Sequence, residues 1–132
     1  MRARFLLGIL ISCICFALPA GAPDPVKADP GHYKVDSENA QARILRAHYG
    51  PHEKSVMHAH PATIAVFLTD STGQFTYPDG RKEPFTAKAG DVRYSPPTVH
   101  LPENLSDKPF DVIVIELKTA ASKSSAGTTK KK

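Results

Sequence analysis

Cysteine is nearly missing from this 132-residue chain, and the two copies present, Cys13 and Cys15, both fall within the first twenty residues. Everything downstream lacks a disulfide staple and a thiolate, so any metal there must rest on histidine and carboxylate. Helical patterning is missing too, since no segment keeps apolar residues at a helical repeat over a usual helix length. The apolar run from Phe5 to Leu18 falls short of the roughly 20 residues that a bilayer-spanning helix needs. A basic face is also lacking. The formal charge of +4 drops to +2 without Arg2 and Arg4, and to −2 when Lys123, Lys130, Lys131 and Lys132 are set aside. Positive charge belongs to the ends, so no nucleic-acid partner is expected.

What is there begins with the pattern of an export signal. Arg2 and Arg4 form a basic start, Phe5 to Leu18 an apolar core, and Pro19 a break followed by the small residues Ala20, Gly21 and Ala22. The expectation is an exported, periplasmic or secreted protein with no stable membrane span, cut after Ala20. A cut after Ala22 would leave Pro23 first. Leu10-Ile11-Ser12-Cys13 also resembles a bacterial lipoprotein box, but the apolar run continues through Ile14 and Phe16, where a lipoprotein turns polar. Residues 21–30, rich in Pro, Ala and Asp, read as a linker with little structure. Residues 119–132 are small, polar and lysine-rich, which reads as a disordered tail. Residues 31–118 between them are long enough for one domain with one closed core.

That domain reads as a series of short strands. His32–Asp36 and Ala42–Tyr49 come first, with Ser37-Glu38-Asn39 as the turn between them and Gly50-Pro51 as the stop. Thr63–Thr69 is β-branched and aromatic, and Gly73–Tyr77 alternates. Pro78-Asp79-Gly80 is a turn, and Arg81–Lys88 returns as an edge strand because Pro84 interrupts it. After the turn at Ala89-Gly90-Asp91 comes Val92–Ser95. His100–Asn104 reads as loop-like, and Phe110–Leu117 is the last and most apolar strand. Turn signals about every ten residues point to an all-β sandwich or small barrel.

The chemistry concentrates in Val56-Met57-His58-Ala59-His60-Pro61. Residues two apart on a strand share a face, so His58 and His60 project as a pair. Ala62, Ile64, Val66 and Leu68 continue the same parity, which makes that face apolar and inward. Inward imidazoles need partners, because an unsatisfied buried polar group costs roughly 1–3 kcal/mol. With His100 brought in by the fold, the pair becomes a facial site for a divalent transition metal.

His58-Ala59-His60, Gly90-Asp91-Val92-Arg93-Tyr94-Ser95-Pro96 and His100-Leu101-Pro102-Glu103-Asn104 together resemble the two motifs of the cupin superfamily, over roughly Ala42 to Leu117. The resemblance implies a single-domain conical β-barrel, a double-stranded β-helix of jelly-roll type, with a metal in its wide end. The chain departs from the pattern in three ways. The glutamate of the first motif would fall near Ile64 or Ala65, neither of which can ligate. Gly50 stands two residues too far from His58. Thr98 replaces the glycine after proline in the second motif, and His100 comes one residue early. The remaining ligands are His58, His60 and His100, as in three-His cupins that include thiol dioxygenases. Such a set suits Fe, Zn, Mn, Ni or Cu alike.

With no anionic ligand the ion keeps its full charge and favours an anion or hydroxide in an open position. Glu103, His52, His48 or water are the candidates for a fourth ligand, Glu103 and both histidines reading more naturally as surface residues. Asn104 reads as a tie between loop and backbone, Arg93 or Tyr94 as a wall residue able to meet an anionic ligand, and His32 as unassigned. The leading function is a metal-dependent oxygenase or isomerase of a small molecule. The alternatives are a non-catalytic metal or small-ligand binder and a structural cupin without metal. A homodimer through an outer strand is a further expectation.

Overall fold

The structure, a computed structural model, describes residues 21–119. The signal segment with its lipoprotein-like box, and all but the first residue of the lysine-rich tail, lie outside the described residues. Within them the elements are α1 (Pro25–Ala28), β1 (Tyr33–Glu38), β2 (Ala42–Tyr49), β3 (His58–His60), β4 (Thr63–Phe67), β5 (Ser71–Thr76), β6 (Lys82–Ala87), β7 (Val92–Ser95), β8 (Thr98–Asn104) and β9 (Phe110–Leu117). No helix among them is long and apolar enough to cross a membrane.

The strands form two antiparallel sheets, one ordered β1-β2-β9-β4-β7 and the other β3-β8-β5-β6. β9 lies at the centre of the larger sheet because it is the most apolar strand and is paired along both edges. Its residues match β2 from Tyr49↔Phe110 to Ala42↔Leu117 on one side, and β4 from Phe67↔Val112 to Thr63↔Glu116 on the other. The inward parity supplies Leu45, Ala47 and Tyr49 from β2, Phe67 from β4, and Phe110 and Val112 from β9, with Tyr33 and Ala87 completing the buried core. Burial of these side chains against the facing sheet is the main source of stability.

Punctuation in the sequence sets the turns. Gly80 and Gly90 take φ of 82° and 92°, a left-handed conformation that costs glycine nothing. β6 is an edge strand, as Pro84 requires.

The structure corrects four expectations. Residues 21–30 are not a loose linker. Asp24 caps α1 by accepting from Val26 N–H, Pro25 is buried, and the Pro23 carbonyl accepts from Ala59 N–H on the free edge of β3. Composition missed this because a proline at the first helical position behind an aspartate is also a helix start. His100–Asn104 is not a loop but most of β8, paired with both β3 and β5; Pro102 sits in it with its missing N–H, yet the strand holds. Ser37 and Glu38 are strand rather than turn, because β1 carries an irregularity between Val35 and Ser37 that lets it run on to Glu38. Finally, the inward residues of β4 are Thr63 and Phe67, not Ile64, Val66 and Leu68. The chain crosses from one sheet to the other at Pro61-Ala62, and that crossing resets the parity.

Candidate metal centre

β3 is only three residues long, and its burial pattern puts His58 and His60 inward with Ala59 between them. His100 on β8 lies directly opposite His58 in the register, which is the closest approach two strands allow for a side-chain pair. The three rings meet at near right angles. Centroids are 4.9 Å apart for His58 and His60, 5.2 Å for His58 and His100, and 5.4 Å for His60 and His100. One ligating atom from each lies within 4.8 Å of the others. The sequence placed these three residues together for a partly mistaken reason, since alternation within β3 and pairing with β8 bring them in, not continuity with β4.

Hydrogen bonds fix the two tautomers on β3. His58 Nδ1 lies 2.8 Å from the Val56 carbonyl, and His60 Nδ1 lies 2.7 Å from Glu116 Oε1. Each partner is an acceptor, so each Nδ1 carries the proton and each Nε2 presents a lone pair. Those two Nε2 atoms face each other at 3.1 Å. Two lone pairs at that distance repel unless a positive charge sits between them. A proton can serve two nitrogens. It cannot also serve His100, whose Nε2 is buried with no hydrogen-bond partner. Burial first, then the neighbouring ring of His60, push His58 down to about 4, and the same effects with His58 added push His100 down to about 3. Neither ring takes an extra proton at neutral pH, so both stay available as ligands.

The His58–His60 pair has the spacing that two ligands of one divalent ion take, and a ligating atom of His100 lies within 4.8 Å of both. Nitrogens about 2.0–2.1 Å from one ion, at angles from octahedral to tetrahedral, are roughly 2.9–3.4 Å apart, which brackets the 3.1 Å between His58 and His60.

Glu116 is the residue that sequence reasoning passed over. It is buried on β9, accepts from His60 with one oxygen and from Arg43 Nε at 2.6 Å with the other. Burial pulls Glu116 toward its neutral form, but the hydrogen bonds from His60 and Arg43 outweigh it and hold the carboxyl below its ordinary value. Arg43 in turn pairs with Asp24, the cap of α1. Thus Asp24, Arg43, Glu116 and His60 form one chain of charge-assisted contacts, running from the segment before β1 to the histidine cluster. A carboxylate behind a ligating histidine fixes its orientation and raises its basicity. The signal was in the sequence: Glu116 occupies the inward parity of the most apolar strand, where a charge needs a partner.

The other candidates lie elsewhere. Glu103 accepts from Gln74 at 2.8 Å and faces away from the cluster, His48 is exposed beside Asp111, and His52 is exposed beside Asp107. None reaches the three rings. Asn104 ties backbone as expected, donating to the Gly50 and Lys108 carbonyls at 2.8 Å each. His32 stacks on Tyr49 at 4.4 Å and pairs with Asp29 and Glu53, a structural role. Arg93 and Tyr94 both border a cavity of about 280 Å³ that also exposes His100 and Tyr33.

No family model matches the sequence and no curated protein matches it. Solved structures do match. A cupin domain from Bordetella pertussis superposes with a TM-score of 0.62 at 20% identity, covering 76% of this chain and 99% of its own. A double-stranded β-helix protein of the RmlC-like cupin family from Methanocaldococcus jannaschii gives 0.53 at 16% identity, covering 64% of this chain and 77% of its own. A cupin superfamily protein from Desulfitobacterium hafniense gives 0.51 at 13%, covering 66% and 76%. Two antiparallel sheets closing over an inward histidine cluster, with these neighbours, give the chain the fold of the cupin superfamily.

Proposed function

We propose that this protein binds a divalent transition metal through His58, His60 and His100 and presents it to a small molecule in the adjoining cavity. The observation that supports this most directly is the buried, unpartnered Nε2 of His100 beside two Nε2 lone pairs 3.1 Å apart. A cation is the one partner that answers all three. Glu116 and Arg43 hold His60 in its ligating tautomer, and the Val56 carbonyl does the same for His58. When bound, the ion supplies Lewis acidity toward an oxygen or an anion in its open position. The rest of the cavity wall is mostly aromatic and aliphatic, which excludes water around that position. An oxygenase or isomerase role and a pure binding role share this site and differ in turnover.

The test is metal analysis of the purified protein beside its His58→Ala and His100→Ala variants. Near-stoichiometric metal that disappears in both variants is expected; unchanged metal in either removes the assignment. Oxygen uptake with thiols, diketones and phenolics then separates enzyme from binder. The reading includes export, on the basis of the apolar run behind Arg2 and Arg4, and the mass of the mature N-terminus tests it: a chain beginning at Gly21 is expected, and one beginning at Met1 rejects it.

A further inference from the structure

The cavity beside His100 has a built wall. His100 stacks on Phe75 (centroids 4.7 Å, 7°), Phe75 stacks on Phe85 (4.7 Å, 17°), Phe85 lies 6.0 Å from Phe67, and the Arg93 guanidinium sits 5.2 Å from the Phe67 ring centre. The row therefore leads from the half-buried ring of His100 to a side chain that is 43% exposed at the mouth. Gly73 is part of the construction. A Cβ there would stand 2.8 Å from Phe85 Cζ and 2.5 Å from the Glu103 carbonyl, so only glycine lets Phe85 lie flat against β5.

The charges at the mouth are unequally answered. Glu83 accepts from Arg81 at 2.9 Å and from the Tyr77 hydroxyl at 3.1 Å. Arg93 donates to the Thr86 carbonyl, which is neutral, and reaches the Asp91 carboxylate only at 3.5 Å. A guanidinium so placed retains donors for a carboxylate, which it binds in a forked geometry. At the inner end the ring of His100 lines the cavity, with His58 and His60 behind it. An aromatic wall favours a ring set edge-on or offset against it.

We infer that the cavity takes a small, flat aromatic monocarboxylate, its ring along Phe75 and Phe85 and its carboxylate on Arg93. The inference rests on the reading of this cavity as the ligand side of the metal centre. It names the ligand class that the centre meets.

Benzoate is the probe, titrated by calorimetry into zinc-loaded and chelator-treated protein, with zinc content measured in the same samples. Benzoate is expected to bind, to weaken at least tenfold in Arg93→Gln, and to recover only in part in Arg93→Lys, which keeps the charge and loses the fork. Benzyl alcohol, with the same ring and no charge, is expected to bind Arg93→Gln and the parent alike, and Phe85→Leu to weaken both ligands. Zinc-loaded protein that ignores benzoate, or binds it equally well in Arg93→Gln, overturns the inference and leaves the metal reading standing. Protein that takes up none of zinc, iron, manganese, nickel and copper yet binds benzoate through Arg93 keeps the carboxylate site and overturns the metal reading instead.

Discussion

Replacing Glu116 with glutamine separates the support of the metal site from the site itself. The carboxylate accepts from two donors, His60 Nδ1–H at 2.7 Å and Arg43 Nε–H at 2.6 Å. An amide of the same shape has one acceptor. If its oxygen keeps His60, its NH₂ faces the Arg43 donor; if its oxygen keeps Arg43, His60 loses the group that fixes its tautomer. Removing one partner of a buried ion pair costs about 3–5 kcal/mol. Arg43 retains Asp24 on its other side, though that carboxylate is partly open to solvent, so a loss at or below the bottom of that range, about 2–3 kcal/mol, is expected. For a domain of this size that corresponds to a fall in Tm of roughly 10–20 °C. The metal-dependent part is separate: loss of a carboxylate behind a ligating histidine typically weakens metal binding about 10–100-fold. Competition between the folded variant and a chromophoric chelator, well below its Tm, measures that part. Leu45→Val, a core truncation in β2 that removes no polar group, serves as the control for destabilisation alone. If Glu116→Gln melts lower yet holds zinc as tightly as Leu45→Val, the carboxylate is merely structural and the chain from Asp24 to His60 has no bearing on the metal.

Three further outcomes follow from the same geometry. His100→Leu removes a ring nitrogen with no partner, worth roughly 1–3 kcal/mol when buried, so the metal-free variant should unfold at equal or higher urea than the metal-free parent while losing its metal; a clear drop in the urea midpoint would refute the frustration assigned to that nitrogen. Gly73→Ala should destabilise by about 1–3 kcal/mol, because the added methyl meets the Glu103 carbonyl and the Phe85 ring, and an unchanged melting curve would contradict the packing of that wall. The third concerns pH. His58 and His100 are pushed down to about 4 and about 3 in the fold, against an unfolded value near 6.5, so between these values the unfolded chain binds more protons. Metal-free protein should therefore have this stability in full above pH ~6.5 and lose it progressively toward pH ~4, on the order of 3 kcal/mol for His58 alone. Urea midpoints at pH 7, 6 and 5 that do not fall, or that fall as steeply in His100→Leu, would count against it.

The fold was legible where local rules act alone. Ala42–Tyr49 and Phe110–Leu117 emerge with the boundaries their apolar patterns set, and the glycines of two turns take the φ those turns need. What the pattern concealed depends on contacts remote in sequence. Asp24 and Pro25 look like linker until Arg43 and the edge of β3 are present to receive them. Pro102 and the polar neighbours of His100 look like loop until β3 and β5 flank them. The histidine pair was visible as a pair, but its inward facing followed from pairing with β8, which no alternation along β4 can report.

The buried polar residues show why the site stands out physically. Asn104 and Ser55 are satisfied by backbone and carboxylate partners, with Ser55 donating to Asp29 at 2.5 Å. Glu116 is satisfied by a cation and a ring N–H. Among the described residues two buried side-chain atoms lack a partner, the lone hydroxyl Oγ1 of Thr76 and Nε2 of His100, and the second belongs to a cluster. That cluster holds three rings: acceptors at Nδ1 turn the Nε2 atoms of His58 and His60 toward each other, and burial keeps an extra proton off His100. An apolar side chain in place of His100, whose Nε2 has no partner, would give an empty barrel at least as stable. If the rings, supported from behind by Glu116 and the Val56 carbonyl, hold an ion as proposed, its binding adds to the stability of the fold, and metal loading and folding should be measured together.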